Sequence, residues 1–171
     1  MELLLGAGTN LAKKLWHEGR QEWSGRVTLD FDAALKPDVV WDLNKIPLPF
    51  DDNSADEIHA YDVLEHVGVQ GDWKFFFDQF ADFWRILRPG GELFMTLPDY
   101  RSAWAFGDPG HTRVISQPSL TFLNRRCYGQ VGTTAMTDYR TYYKADFEFA
   151  HVEVKNELLH AVLAAIKPGR D

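Results

Sequence analysis

One cysteine in 171 residues, Cys127, leaves no partner for an internal disulfide, so stability has to come from a packed core. No histidine neighbours Cys127 in sequence to activate it, and it reads as a spectator thiol. No apolar run approaches the roughly 20 residues needed to cross a bilayer, which excludes a helical membrane span. The opening Met1-Glu2-Leu3 lacks a basic segment followed by a long apolar core, and a reducing, cytoplasmic compartment is expected. Positive charge is also scarce: 18 lysines and arginines against 25 acids give a net charge of −7. The basic doublets Lys13-Lys14 and Arg125-Arg126 are isolated, which argues against a grip on nucleic-acid phosphates. What the chain does have is apolar substance, 45% hydrophobic residues, enough at this length for one domain spanning 1–171.

The organising stretch is Leu3-Leu4-Leu5-Gly6-Ala7-Gly8-Thr9-Asn10. The leucines read as a buried parallel strand, and Leu11, Lys13, Lys14, Leu15 and Trp16 follow at the spacing of an amphipathic helix. Glycines between such elements permit positive φ and let a ligand lie against the backbone at the carboxyl end of the strand. The next strand, Val27-Thr28-Leu29-Asp30, ends in an acid at about the separation expected of a ribose-binding carboxylate. A third glycine, needed for a dinucleotide fingerprint, is replaced by Leu11, so a smaller adenosyl ligand is favoured over NAD.

Val39-Val40-Trp41 forms a short third strand before Asp42, and the prolines of Ile46-Pro47-Leu48-Pro49-Phe50 keep that segment out of any central strand. Six acids and no lysine or arginine lie from Asp51 to Glu65, bracketing a strand at Glu57–Tyr61. If they face the glycine turn, their potential suits a cationic ligand. Trp73, Phe76, Phe77, Phe80, Phe83, Trp84 and Leu87 recur at helical spacing, a core stripe that ends before Pro89-Gly90-Gly91. Glu92–Leu97 follows as a buried strand. The long connection from Pro98 to Pro118 is expected to be a substrate lid. The alternation of Phe147 and Phe149 slips out of phase with Val152 and Val154, which predicts a bulge in one strand.

Taken in order, Gly6-Ala7-Gly8-Thr9-Asn10, Asp30, Asp42-Leu43, Pro47-Leu48-Pro49-Phe50, Val63-Leu64-Glu65-His66-Val67 and Leu87-Arg88-Pro89-Gly90-Gly91 resemble the class I S-adenosylmethionine-dependent methyltransferases, in particular the small-molecule, type 11-like group. The resemblance implies an α/β, doubly wound, Rossmann-like sheet of seven mostly parallel strands in the order 3-2-1-4-5-7-6. Strand seven is antiparallel, helices cover both faces, and Glu157–Ile166 is the last strand.

It implies donor contacts from Gly6, Ala7, Gly8, Asn10, Asp30, Phe31, Asp42, Leu43 and Tyr61. Acceptor contacts are expected from Asp99, Tyr100 and His111, with His111 or His66 as the base for O- or N-methylation of a small or medium acceptor. The segment from Asp62 to His66 also resembles one that carries a divalent cation in some ubiquinone-type O-methyltransferases. A metal of the magnesium or calcium type is compatible with it but not expected. Leu4 stands where the family has an acid, and Asn10 where it has a glycine. These departures feed an alternative, a donor-binding regulatory or scaffolding protein without transferase activity. The composition accommodates a monomer or a homodimer.

Overall fold

In the computed structural model, which describes residues 1–17 and 19–170, seven strands form one sheet. They are β1 (Glu2–Leu5), β2 (Arg26–Asp30), β3 (Val39–Val40), β4 (Ala55–Tyr61), β5 (Leu87–Pro98), β6 (Phe147–Lys155) and β7 (Leu158–Ala165). Their order is β3-β2-β1-β4-β5-β7-β6, with the first five parallel and β7 antiparallel to both neighbours, as the resemblance implies. β5 starts five residues before the expected Glu92, because the main helix ends at Ile86 and the chain is already extended at Leu87. The predicted bulge is present, with the β6 register slipping between Phe149 and His151.

Alternation divides the sheet into two faces. Leu3, Leu5, Ile58, Ala60, Leu93, Met95 and Leu163 point to one side, where the helix α1 (Trp73–Ile86) buries Phe77, Phe80, Phe83 and Ile86 among them. The Asp72 carboxylate caps α1 by accepting from the Phe75 N–H at 3.0 Å. Two short helices, α2 (Trp104–Gly107) and α3 (Gln117–Thr121), complete the set, and α3 adds the buried Leu120 to this same core.

The opposite face is built differently. The helix expected over Leu11–Trp16 does not form, and the described residues between the glycine turn and β2 lie across this face without regular structure. Two contacts explain why. The Leu15 N–H donates to the Tyr61 hydroxyl at 3.0 Å and its carbonyl accepts from the same hydroxyl at 3.2 Å, which removes both groups from any helical ladder. Lys13 turns inward, its ammonium 2.6 Å from Glu57 and 3.1 Å from Glu2, with all three side chains buried. His59 completes the group, bonded to Glu57 at 2.9 Å and to the Tyr61 hydroxyl at 2.6 Å, stacked on Phe94 and met edge-on by Trp23. A helix of six residues, Leu11–Trp16, held only by its own propensity is marginal, and these tertiary bonds outweigh it.

Candidate active site

The glycine turn after β1 is held from two sides. The Ala7 N–H donates to the Leu29 carbonyl at 3.2 Å, and the Gly8 N–H donates to Asp30 Oδ2 at 2.9 Å. Both glycines have positive φ, +58° at Gly6 and +52° at Gly8, which side chains other than glycine seldom adopt. A Cβ at Gly6 would also lie 2.2 Å from the Val63 side chain, so the turn packs directly on the segment that follows β4. The other oxygen of Asp30 accepts from the Asp32 N–H at 3.0 Å, and the carboxylate is thereby fixed at the carboxyl end of β2.

Beside this turn, across the carboxyl ends of β1 to β4, lies a cavity of about 760 Å³. That volume is ample for a nucleoside-sized ligand. Of the residues expected at the site, Gly6, Asp30, Phe31, Asp42, Leu43 and His66 line it, together with Trp41 and Asp62. Phe31 and Trp41 supply aromatic surface for a purine, and Asp30, Asp42 and Asp62 supply negative charge with no lysine or arginine among the lining residues. Hydrogen bonds from Asn44 hold the Asp42 carboxyl below the usual range, and it stays ionised. Asn44 in turn accepts from the Gly68 N–H at 2.8 Å, which ties the end of β3 to the segment after β4.

The other expected site residues fall elsewhere. Ala7 and Gly8 border an adjoining cavity of about 270 Å³ that shares Asp30. Asn10 lines neither cavity, its amide oxygen accepting instead from the Ala12 N–H. Tyr61 lies under the irregular segment on the far face, because β4 alternation places it with Glu57 and His59. Asp99 is buried and paired with Arg101 at 2.7 Å, Tyr100 is half exposed, and neither borders the large cavity. Of the six acids between Asp51 and Glu65, Asp62 alone among the described residues lines it. Asp52, Asp56 and Glu57 are spent on Arg85, Arg88 and Lys13.

Asp62 sits in the left-handed region, φ +54°, and is held by Lys14 at 2.6 Å and by the Thr96 hydroxyl at 2.9 Å. Nothing in its sequence context distinguished it from its acidic neighbours. Trp41 and Asn44 were missed because they read as a strand end and a loop.

The two histidines expected to act on the acceptor are brought together, but in an order the sequence does not imply. Their rings meet edge-on at 4.6 Å. His66 borders the cavity, and its Nδ1 lies 3.0 Å from the Gly110 carbonyl, which can only accept, so Nδ1 carries a proton, and Nε2 has no hydrogen-bond partner among the described residues. Gly110 permits this approach, since a Cβ there would sit 3.2 Å from Nδ1. His111 lies behind it with its side chain 8% exposed, and does not line the cavity. Its Nε2 lies 4.0 Å from Glu65 and 3.9 Å from Asp108, and its Nδ1 has no partner.

Burial raises the Glu65 carboxyl above its ordinary range. Glu65, His66 and His111 offer ligand atoms all within 4.8 Å of one another, a nitrogen-rich set unlike the oxygen set that magnesium or calcium prefers. The expected lid is laced down on this side, because the Thr112 and Arg113 N–H groups both donate to the Glu65 carbonyl.

A mostly parallel sheet with a terminal antiparallel hairpin, a glycine turn after β1 and an acid closing β2 define the Rossmann-like methyltransferase class of fold. A family model described as a methyltransferase domain matches residues 7–95, and the chain belongs to that family, whose methyl donor is S-adenosylmethionine.

Among solved structures the chain is similar to a chain of the Haloferax volcanii complex between the Trm112 methyltransferase activator and a methyltransferase. The identity is 15%, with 96% of this chain and 82% of that one covered and a TM-score of 0.58. It is also similar to a SAM-dependent methyltransferase from Aquifex aeolicus, with 14% identity, 96% and 81% coverage and a TM-score of 0.57. A third similarity is to the geranyl diphosphate C-methyltransferase of Streptomyces coelicolor A3(2), with 12% identity, 97% and 73% coverage and a TM-score of 0.56. No curated protein sequence matches. Among the described residues, no helix is long and apolar enough to cross a membrane.

Proposed function

We propose that the chain transfers the methyl group of S-adenosylmethionine to an oxygen or nitrogen of a small or medium acceptor, with His66 as the group that takes the acceptor's proton. The observation that carries this reading is the His66 tautomer: Nδ1–H is spent on the Gly110 carbonyl, and Nε2 is left as a proton acceptor on a residue that lines the donor cavity. The donor supplies an electrophilic methyl group on a sulfonium. The chain's part is to hold the adenosyl end between Phe31, Trp41 and the Asp30 and Asp42 carboxylates. His111 backs the His66 ring and limits its rotation, a supporting role in place of the base first expected for it.

The rival, donor binding without transfer, rests on the two departures from the family pattern, Leu4 in place of an acid and Asn10 in place of a glycine.

Titration calorimetry of the full chain with S-adenosylmethionine and S-adenosylhomocysteine tests the shared premise, and failure of both to bind overturns both readings. Asp30→Ala removes hydrogen bonds to a charged group worth roughly 1.5–3 kcal/mol each, and donor affinity falls about ten- to hundredfold. His66→Gln leaves donor affinity within about threefold and lowers turnover on a phenol or amine acceptor about 10²-fold. Unchanged turnover in that variant removes His66 from the chemistry.

A further inference from the structure

A second cavity, of about 210 Å³, opens beside the amino end of α1. It shares no lining residue with the donor cavity. Trp73, Phe76, Phe77, Phe122 and Tyr139 give it aromatic walls, and one cation, Arg113, and one acid, Asp72, also line it.

Arg113 is 6% exposed, yet among the described residues no carboxylate lies within ion-pair distance of it. Its Nε–H donates to the Leu64 carbonyl at 2.9 Å, and one terminal amino group donates to Gln79 Oε1. The other terminal amino group has no protein partner among the described residues. A buried guanidinium keeps its charge only at a cost, and here burial pulls its pKa down to about 10. The adjacent Gln79 amide nitrogen is likewise buried with no partner among the described residues, and so is Glu65 Oε2, an acceptor whose charge acts on Arg113. The negative groups that face Arg113 from its neighbouring elements are Glu65 and Asp72, and the Asp72 carboxylate is already engaged in capping α1.

We propose that this cavity binds a small carboxylate carried on an aromatic or branched apolar body, with the carboxylate on Arg113 and the body against the aromatic walls. A planar carboxylate matches the unused edge of a guanidinium. The volume, somewhat above the roughly 150 Å³ of a cavity that takes benzene, suits one ring and a short acid. The inference stands apart from methyl transfer, since the lining residues of the two cavities are different and binding here needs no donor.

The test is direct binding to the full chain, followed by calorimetry and by the Trp73 indole N–H resonance, assigned with Trp73→Phe. Phenylacetate is the probe. Phenylacetamide keeps its shape without charge, and phenyl phosphate offers a different anion. Phenylacetate is expected to bind more tightly than about 10 mM, to shift the Trp73 resonance, and to exceed the amide at least tenfold. Arg113→Gln is expected to abolish that preference. No binding, equal affinity for acid and amide, an unmoved Trp73 signal, or tighter binding of phenyl phosphate would each overturn the assignment. If Arg113→Gln fails to fold, the comparison of acid and amide on the native chain still decides.

Discussion

On one face of the sheet Phe80, Phe83 and Ile86 of α1 lie among Leu3, Ile58 and Leu93, and on the other Lys13 lies between Glu2 and Glu57, with His59 and Trp23 closing over them. Apolar burial is non-directional, and what it asks of the sequence is a stripe of the right residue types at the right period. An ionic group asks for particular partners at particular distances, because a buried charge with one partner missing is worse than none. The face under α1 is therefore legible residue by residue. The other depends on pairings separated by 11 and 44 positions in the chain.

The comparison breaks most visibly on the helical side. Phe80 has no exposed surface, and Phe80→Ala is expected to cost about 3–5 kcal/mol through lost burial and the cavity left behind, read from the urea midpoint at unchanged slope. A loss below about 1 kcal/mol would mean that α1 is not the main cover of this face.

Lys13→Met tests the ionic side, with an expected loss of about 3 kcal/mol, because it leaves Glu2 and Glu57 without their shared cation while Arg20 still reaches Glu57 at 3.0 Å. Adding Glu57→Gln to Lys13→Met should restore part of that stability. Strict additivity of the two changes would show that the pair does not act as a unit.

Acid sharpens the same contrast with a smaller effect per group. Burial opposes ionisation of Glu57, but the bonds from His59 and Lys13 prevail and hold its carboxyl at about 2 against an ordinary 4.5. Its contribution is complete above pH 4.5 and is lost as pH falls from there toward 2. Burial also keeps His59 below its ordinary 6.5, so the unfolded chain takes up that proton first and stability begins to decline below pH 6.5. Melting temperature should fall in both ranges in the native chain. In His59→Phe the upper decline should vanish, and its persistence would place the proton uptake elsewhere.

Much of the architecture was written locally. The glycine turn, Asp30 at the end of β2, the aromatic period of α1 and the phase slip that became the β6 bulge are each properties of a few consecutive residues, whereas the last strand was reached only through the resemblance. Such properties depend on backbone freedom and on which side of an element a residue faces. The same local pattern misled over Leu11–Trp16, whose helical spacing is real but whose backbone bonds go to Tyr61. It also placed Tyr61 in the donor site, where the resemblance expected it, although the β4 pleat turns it away.

What the sequence by itself determined is the glycine turn after β1, the acid that closes β2 and the aromatic stripe of α1, and the order of the strands followed from the resemblance those motifs carry. Tertiary structure alone decided that His66 and not His111 reaches the cavity, that Lys13 is buried, and that Arg113 has no carboxylate within ion-pair distance among the described residues. The physical reason is that periodicity reports the direction a side chain takes from its own element. A charge or a proton acceptor is defined by what meets it from distant parts of the chain, across 44 residues for His66 and Gly110 and 34 for Arg113 and Gln79.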